Sequence, residues 1–303
     1  MLVNPIHHRF LKPPMLAGQP LGEKKETRKR VFLTGAGHPP LHLALLGLLI
    51  ASFVLFSSLV NAQSVDPTGI IQSFLPQGAQ LLAAQSEDLN GDKSPEIIAS
   101  YKVENLEQGV IVLQQKDGRW EKVWEQKGPG EFTLTVDVVD LTGDGQPELL
   151  LDWITGYMSA GNDLDVYGWK DGAVRKLVSI GYHQLDWLPS KQGRRALAVW
   201  QKDTGLAFIV KTLRLEEQGW VNVDDQYPEY FRDVVVPYYQ PEKGVPSARY
   251  NWYYLAEAQV KARMPQEALQ SIEQGLAIKG EVEYPETSRF EQLREQALLQ
   301  LGN

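Results

Sequence analysis

The chain of 303 residues contains no cysteine, which excludes disulfides, thiolate zinc sites, a cysteine nucleophile and a lipid-modified cysteine. Histidine is nearly as scarce. Of five, only His183 lies beyond residue 62, so the body of the chain cannot assemble a multi-histidine metal centre. His183 falls in a predicted strand and reads as a structural residue. No Gly-x-Ser-x-Gly elbow, phosphate-binding loop, Gly-x-Gly-x-x-Gly or His-Glu-x-x-His is present. Carboxylates are plentiful, but spacing alone does not say which of them face each other at glycosidase separation. Basic charge is also short in the body. The first 40 residues carry seven Lys or Arg against two Glu, leaving 23 basic against 36 acidic residues in the remainder. Such an acidic body disfavours nucleic acid and suits divalent cations or basic partners.

One long apolar run is present, Leu41–Val60, preceded by Lys24, Lys25, Arg28, Lys29 and Arg30 and followed by Val60-Asn61-Ala62. A basic flank, an apolar stretch and short residues before a cleavage point make a secretory signal, with the positive side left in the cytoplasm. Two readings fit. Cleavage near Ala62 releases a secreted or periplasmic protein. Retention leaves residues 41–60 as a single membrane anchor with the body outside. Residues 1–40 are then a basic leader or cytoplasmic segment, and Met15 is an alternative start.

Two stretches repeat each other in one register. Asp88-Leu-Asn90-Gly-Asp92-Lys-Ser94-Pro-Glu96 and Asp140-Leu-Thr142-Gly-Asp144-Gly-Gln146-Pro-Glu148 each open an apolar run. Side-chain oxygens at positions one, three, five and nine, with the backbone carbonyl of Ser94 or Gln146 at position seven, form the all-oxygen donor set that calcium requires. Thr142 is the poorer ligand, so the second loop is expected to lean on water. Affinities of about 10⁻⁴–10⁻³ M, the range of extracellular calcium modules, are expected. The competing reading is a metal-free turn, which Asp, Asn and Gly make unaided.

Aligning on these loops exposes a unit that recurs over residues 77–127, 128–181 and, degenerately, 182–233. Each copy reads as four short strands. The last two are joined by a charged turn: Lys116-Asp117-Gly118, Lys170-Asp171-Gly172 and Glu216-Glu217-Gln218-Gly219. Asp-Gly between β-rich runs is a hairpin signal. The third loop carries Lys191, Arg194 and Arg195 where carboxylates are needed, so it is not expected to hold calcium.

On Asp88, Asn90, Asp92 and Glu96, and on Asp140, Thr142, Asp144 and Glu148, the chain resembles the FG-GAP, or VCBS, repeat family of calcium-loop β-repeats. That resemblance implies calcium in the loops, propeller-type blades and a role in adhesion, scaffolding or ligand display. Propellers of the family close with about seven blades. Three are countable here, so an open arc is expected at least as much as a small closed propeller.

Val234–Pro246 is Pro-rich and reads as a semi-rigid linker. The aromatics around it, Tyr227 to Tyr254, suit either stacking on a ligand or packing at a domain interface. Beyond it, residues 247–303 switch to helical periodicity. Trp252, Leu255, Ala256, Ala268, Ile272 and Gly275 give the first two helices a resemblance to one tetratricopeptide repeat, with Gln259 where that family has tyrosine. Ser288 and Glu291 fit a capping box for a third helix. The resemblance implies a partner groove. A helical bundle covering an edge of the β-domain is the alternative.

The sequence therefore describes a mainly β protein of three propeller-blade-like four-stranded repeats followed by a tetratricopeptide-like helical bundle. It reads as exported or membrane-anchored, calcium-stabilised and non-enzymatic, with a protein or glycan partner at the cell envelope. A glycan-active hydrolase or lectin is one alternative. A tetratricopeptide-type adaptor is the other. The loop Thr155–Asp163, longer than its equivalents, is a candidate ligand loop.

Overall fold

A computed structural model describes residues 67–104, 107–155, 161–240, 248–280 and 283–302. The leader and the apolar run 41–60 lie outside the described residues. Among the described residues, no helix is long and apolar enough to cross a membrane.

Helix α1 (Pro67–Phe74) precedes twelve strands, in sequence order β1 (Gln80–Glu87), β2 (Glu96–Val103), β3 (Glu107–Lys116), β4 (Arg119–Pro129), β5 (Thr133–Val139), β6 (Glu148–Ile154), β7 (Asn162–Lys170), β8 (Ala173–Tyr182), β9 (Gln184–Trp187), β10 (Ala196–Lys202), β11 (Phe208–Glu216) and β12 (Gly219–Asn222). They form three four-stranded antiparallel meanders, one per predicted repeat. The Asp-Gly hairpins form as expected. Asp117 and Gly118, and Asp171 and Gly172, all have positive φ, matching the twist of the strands they join. The first two sheets also share a bulge, at Val112/Leu113 and at Val166/Tyr167, so the repeat extends to its irregularities.

The second strand of each sheet reads as a continuous apolar run because it is buried on both faces. In β2, Ile97, Ala99 and Tyr101 face α1, while Ile98 faces the second sheet. In β6, Leu149, Leu151 and Trp153 pack on the first sheet and Leu150 on the third. In β10, Leu197 and Val199 pack on the second sheet, while Ala196, Ala198 and Trp200 face the helical region. The three sheets are thus stacked face to face, with helices on both outer faces. No closed ring is formed among the described residues.

Three expectations require correction. Residues 234–239 are not an extended linker. They continue a helical segment made of α2 (Pro228–Tyr230), a π-helical turn (Phe231–Val235) and α3 (Val236–Tyr239), which buries Phe231, Val235, Val236 and Tyr239. The third repeat accordingly ends as sheet at Asn222, not near Asp233. Pro228 opens the segment, where the first turn of a helix needs no N–H partner, and Pro237 follows the π-helical turn in which Val236 N donates to Phe231 O. The capping box also fails. The last helix begins at Thr287, so Ser288 lies inside it, and Glu291 pairs with Arg294 at 2.6 Å.

Helices α4 (Arg249–Lys261), α5 (Pro265–Ala277) and α6 (Thr287–Gly302) follow. Ala256, Ala268, Ile272 and Phe290 are fully buried between them. Tyr253, Tyr254 and Leu255 of α4 share one core with Trp200 and Val210 of the third sheet. The helical region therefore covers a sheet face rather than an edge. The aromatics pack inward, and the Tyr239 hydroxyl donates to Phe208 O at 2.7 Å while accepting from Phe208 N at 2.8 Å.

Candidate functional site

Both acidic loops lie between the first and second strands of their sheets, and they share four hydrogen bonds from backbone amides to carboxylates. Asp88 Oδ1 accepts from Gly91 N (2.8 Å) and Oδ2 from Lys93 N (2.9 Å). Asp140 accepts from Gly143 N (2.6 Å) and Gly145 N (3.0 Å) in the same way. Asp92 Oδ1 accepts from Ser94 N at 2.7 Å, and Asp144 Oδ1 from Gln146 N at 2.8 Å. Gly91 (φ +79°) and Gly143 (φ +74°) adopt the left-handed conformation on which each loop turns.

At the base of each loop a glutamate starts the buried strand and turns back to the chain before it. Leu89 N donates to Glu96 Oε2 at 3.0 Å, and Leu141 N to Glu148 Oε2 at 2.8 Å. Leu89 and Leu141 bury their side chains between sheets, which pins the loops to the core. Glu96 and Glu148 are themselves buried. Burial raises the Glu96 carboxyl above its ordinary value, and Asp92 and Asp88 raise it further, against the Leu89 hydrogen bond. Glu148 is pushed up to about 7, again by burial first, with Asp144 and Asp140 adding to it. Each loop therefore gathers three carboxylates near enough to repel one another, in surroundings that favour a countercharge.

The two loops differ in how their oxygens are satisfied. In the first, Asn90 Oδ1 accepts from Asp92 N (2.8 Å), which fixes the amide orientation, and Asn90 Nδ2 donates to both Asp92 Oδ2 (3.0 Å) and Glu96 Oε1 (2.7 Å). Gln114 Nε2, on β3, also approaches Glu96 Oε1, at 3.3 Å. In the second loop the position of Asn90 is taken by Thr142, whose Oγ1 is buried without a hydrogen-bond partner. A cleft of about 510 Å³ adjoins this loop, lined by Thr142, Asp144, Glu148, Lys170, Arg194 and Glu216 among others.

A hard cation fits this donor set: the groups are carboxylates, a hydroxyl and an amide, and one buried oxygen is orphaned. Asp88, Asp92 and Glu96, or Asp140, Thr142, Asp144 and Glu148, would hold it. Ser94 and Gln146 stand at position seven with their N–H groups turned to Asp92 and Asp144. Among the described residues, no group of three or more Asp, Glu or His side chains is placed to hold a metal ion by itself, so a cation here would need hydroxyl, carbonyl or water oxygens as well.

The third loop replaces the buried glutamate with Ala196 and closes as a tight turn, in which Lys191 and Arg194 exchange backbone hydrogen bonds at 3.0 and 3.1 Å. Its cations serve as ties: Arg194 pairs with Glu216 (2.9 Å) and Lys191 with Glu229 (2.9 Å). His183 lies at the bend between β8 and β9, where Nδ1 accepts from Lys202 N at 3.1 Å. Of the candidate loop Thr155–Asp163, residues 156–160 lie outside the described residues. Its base is closed by Thr155 Oγ1 donating to Gly161 O at 2.6 Å.

Sequence reasoning placed the acidic and polar side chains of both loops but missed the groups that hydrogen-bond to the buried glutamates. The Leu89 and Leu141 amides carry no side-chain signal, and Gln114 lies eighteen residues from Glu96 in sequence.

Residues 88–151, from the first loop through most of β6, match the model of an FG-GAP-like repeat. No curated protein matches the chain. The match and the β-rich architecture support an FG-GAP repeat protein, and repeats of this kind point to an extracellular-type binding or adhesion domain.

Proposed function

We propose that this is an exported, non-enzymatic binding or scaffolding protein of the cell envelope, with sheet repeats braced by calcium. The observation carrying this reading is the twin loop. Two acidic turns share four backbone hydrogen bonds in register: the amide donors to Asp88 (two), Asp92 and Glu96 match those to Asp140 (two), Asp144 and Glu148, including the Leu89 and Leu141 contacts at their bases. Each turn crowds carboxylates around a buried glutamate, a costly arrangement that a divalent cation relieves. A cation there ties the first strand of a sheet to its second. It braces the surface that meets a protein or glycan partner, and it activates no substrate.

Export rests on the apolar run 41–60 and its basic flank. We read the helical region as a cap on the third sheet more than as an independent tetratricopeptide groove, because α4 shares its core with Trp200 and Val210.

The test is a thermal melt of the full chain in calcium and in chelator. A ligand that prefers the native state raises the midpoint. A clear rise at about 1 mM calcium is expected, within the range of extracellular modules. It should vanish when Asp92→Ala and Asp144→Ala are combined. No shift at that concentration would end the calcium reading.

A further inference from the structure

The two loops match in sequence spacing but not in chemistry, and three independent differences point the same way. In the first loop, Glu96 has three protein donors: Leu89 N, Asn90 Nδ2 and Gln114 Nε2. In the second, Thr142 replaces Asn90. The position of Gln114 is taken by Gly168, since Leu113 and Tyr167 hold the same place in the β2–β3 and β6–β7 ladders and these residues follow them. Glu148 keeps the Leu141 amide and a backbone hydrogen bond of its own residue, with no side-chain donor in place of Asn90 or Gln114. Thr142 Oγ1 is buried and orphaned. The cleft beside the second loop gives an ion a route in from solvent.

Resting on the calcium reading above, we infer that the second loop is the resident cation site, and that the first is a self-neutralised replica in which the Asn90 amide group does the cation's work. Asn90 Nδ2 stands between Asp92 Oδ2 and Glu96 Oε1, bridging the two carboxylates that an ion would otherwise draw together. An ion entering the first loop must displace those two charge-assisted bonds before gaining its own. An ion entering the second loop displaces no such donor and satisfies an oxygen that has no partner. The ranking is the reverse of that expected from ligand strength alone, by which asparagine outranks threonine.

The two loops also touch. Gln146 Nε2 donates to Asn90 O at 3.2 Å, so an ion that orders the second loop also buttresses the first.

Equilibrium dialysis of the full chain against about 1 mM calcium counts the ions directly. One ion per chain is expected. Asp144→Asn should lower the count to none. Thr142→Asn combined with Gly168→Gln, which rebuilds the first loop's donors in the second, should weaken binding about tenfold or more. Asn90→Asp, which removes the bridging donor and adds a carboxylate, should raise the count to two. Circular dichroism on each variant identifies any that fails to fold, and the gain in Asn90→Asp cannot arise from misfolding. Two equivalent ions in the unaltered chain, one ion retained in Asp144→Asn, or no gain in Asn90→Asp would each overturn the assignment. No ion at all in the unaltered chain would instead refute the calcium reading on which it rests.

Discussion

Gln146 of the second loop donates through Nε2 to the backbone oxygen of Asn90 in the first, at 3.2 Å, and lies against Gly91. A Cβ on Gly91 would stand 2.7 Å from that Nε2, and Gly91 has φ +79°. Gly91→Ala therefore incurs both left-handed strain and the loss of an inter-loop hydrogen bond, together about 2–3 kcal/mol. Gly118→Ala is the control. Its φ is +76° but nothing lies within 4 Å of the new Cβ, so it should cost only the strain, about 1–2 kcal/mol. Denaturant titrations of both variants measure the difference, and equal losses would show that the Gln146 contact contributes nothing.

Glu148 makes the metal-free protein sensitive to pH. Its folded value of about 7 lies above the ordinary glutamate value of 4.5. A carboxyl that binds its proton more tightly when folded stabilises the fold fully below about pH 4.5, and this contribution is lost as pH rises through 7. The full swing is on the order of 3 kcal/mol. In chelator, stability should fall between these limits, and Glu148→Gln, whose side-chain oxygen can still accept from Leu141 N, should flatten the profile. Saturating calcium should flatten it as well, by favouring the ionised form. A chelator profile unchanged by Glu148→Gln would disprove this assignment.

The strands were legible because their chemistry is periodic and local. Asp117-Gly118 and Asp171-Gly172 mark hairpins through a backbone requirement that few other dipeptides meet. Leu149-Leu150-Leu151 announces a strand buried on both faces, although it does not say which sheets will cover it. The polar positions of the loops were legible from spacing, but the role of Asn90 was not. Spacing places an amide at position three without telling whether its oxygen or its nitrogen faces the carboxylates. That is decided by the Asp92 N–H, which claims Asn90 Oδ1 and turns Nδ2 inward. Residues 234–239 misled because Pro and Tyr suggest a semi-rigid linker by composition, and 228–233 because they fall inside the third repeat unit. The segment 228–239 is helical because Phe231, Val235, Val236 and Tyr239 bury their side chains in the core over the third sheet. Tertiary burial outweighed local propensity there.

Tyr230 joins that helical segment to the sheet it covers. Trp200 Nε1 donates to Tyr230 Oη at 2.8 Å, and the Tyr230 hydroxyl in turn donates to Asp186. Burial, then the Asp186 hydrogen bond, hold the phenol well above its ordinary pKa, so it remains a donor throughout the physiological range. Tyr230→Phe deprives the buried Trp200 indole N–H of its acceptor and leaves Asp186 with Gln184 Nε2 as its side-chain donor. A loss of about 1–3 kcal/mol is expected in equilibrium unfolding, with a red- or blue-shifted tryptophan emission reporting the altered indole environment. A loss below the scatter of surface substitutions would mean that water replaces the hydroxyl.

Arg249 was invisible to periodicity, because a single cation near the start of an amphipathic helix reads as solvated surface. It is 5% exposed. Its Nε donates to Pro285 O at 2.9 Å, Nη1 to Ile278 O at 3.2 Å and Nη2 to Thr287 Oγ1 at 3.0 Å, with the guanidinium over the Phe290 ring. One side chain thus fastens the start of α4 to the chain leaving α5 and to the start of α6. Lysine keeps the charge but lacks the planar fork that reaches several acceptors at once. Arg249→Lys should therefore cost about 2–3 kcal/mol, close to the cost of Arg249→Ala, because most of the loss is unsatisfied carbonyls rather than missing charge. Hydrogen exchange in α6 should accelerate with little change in β2 or β6, since the contacts broken belong to the helical region. If Arg249→Lys retained the full stability, charge alone would be sufficient and the fork geometry would be irrelevant.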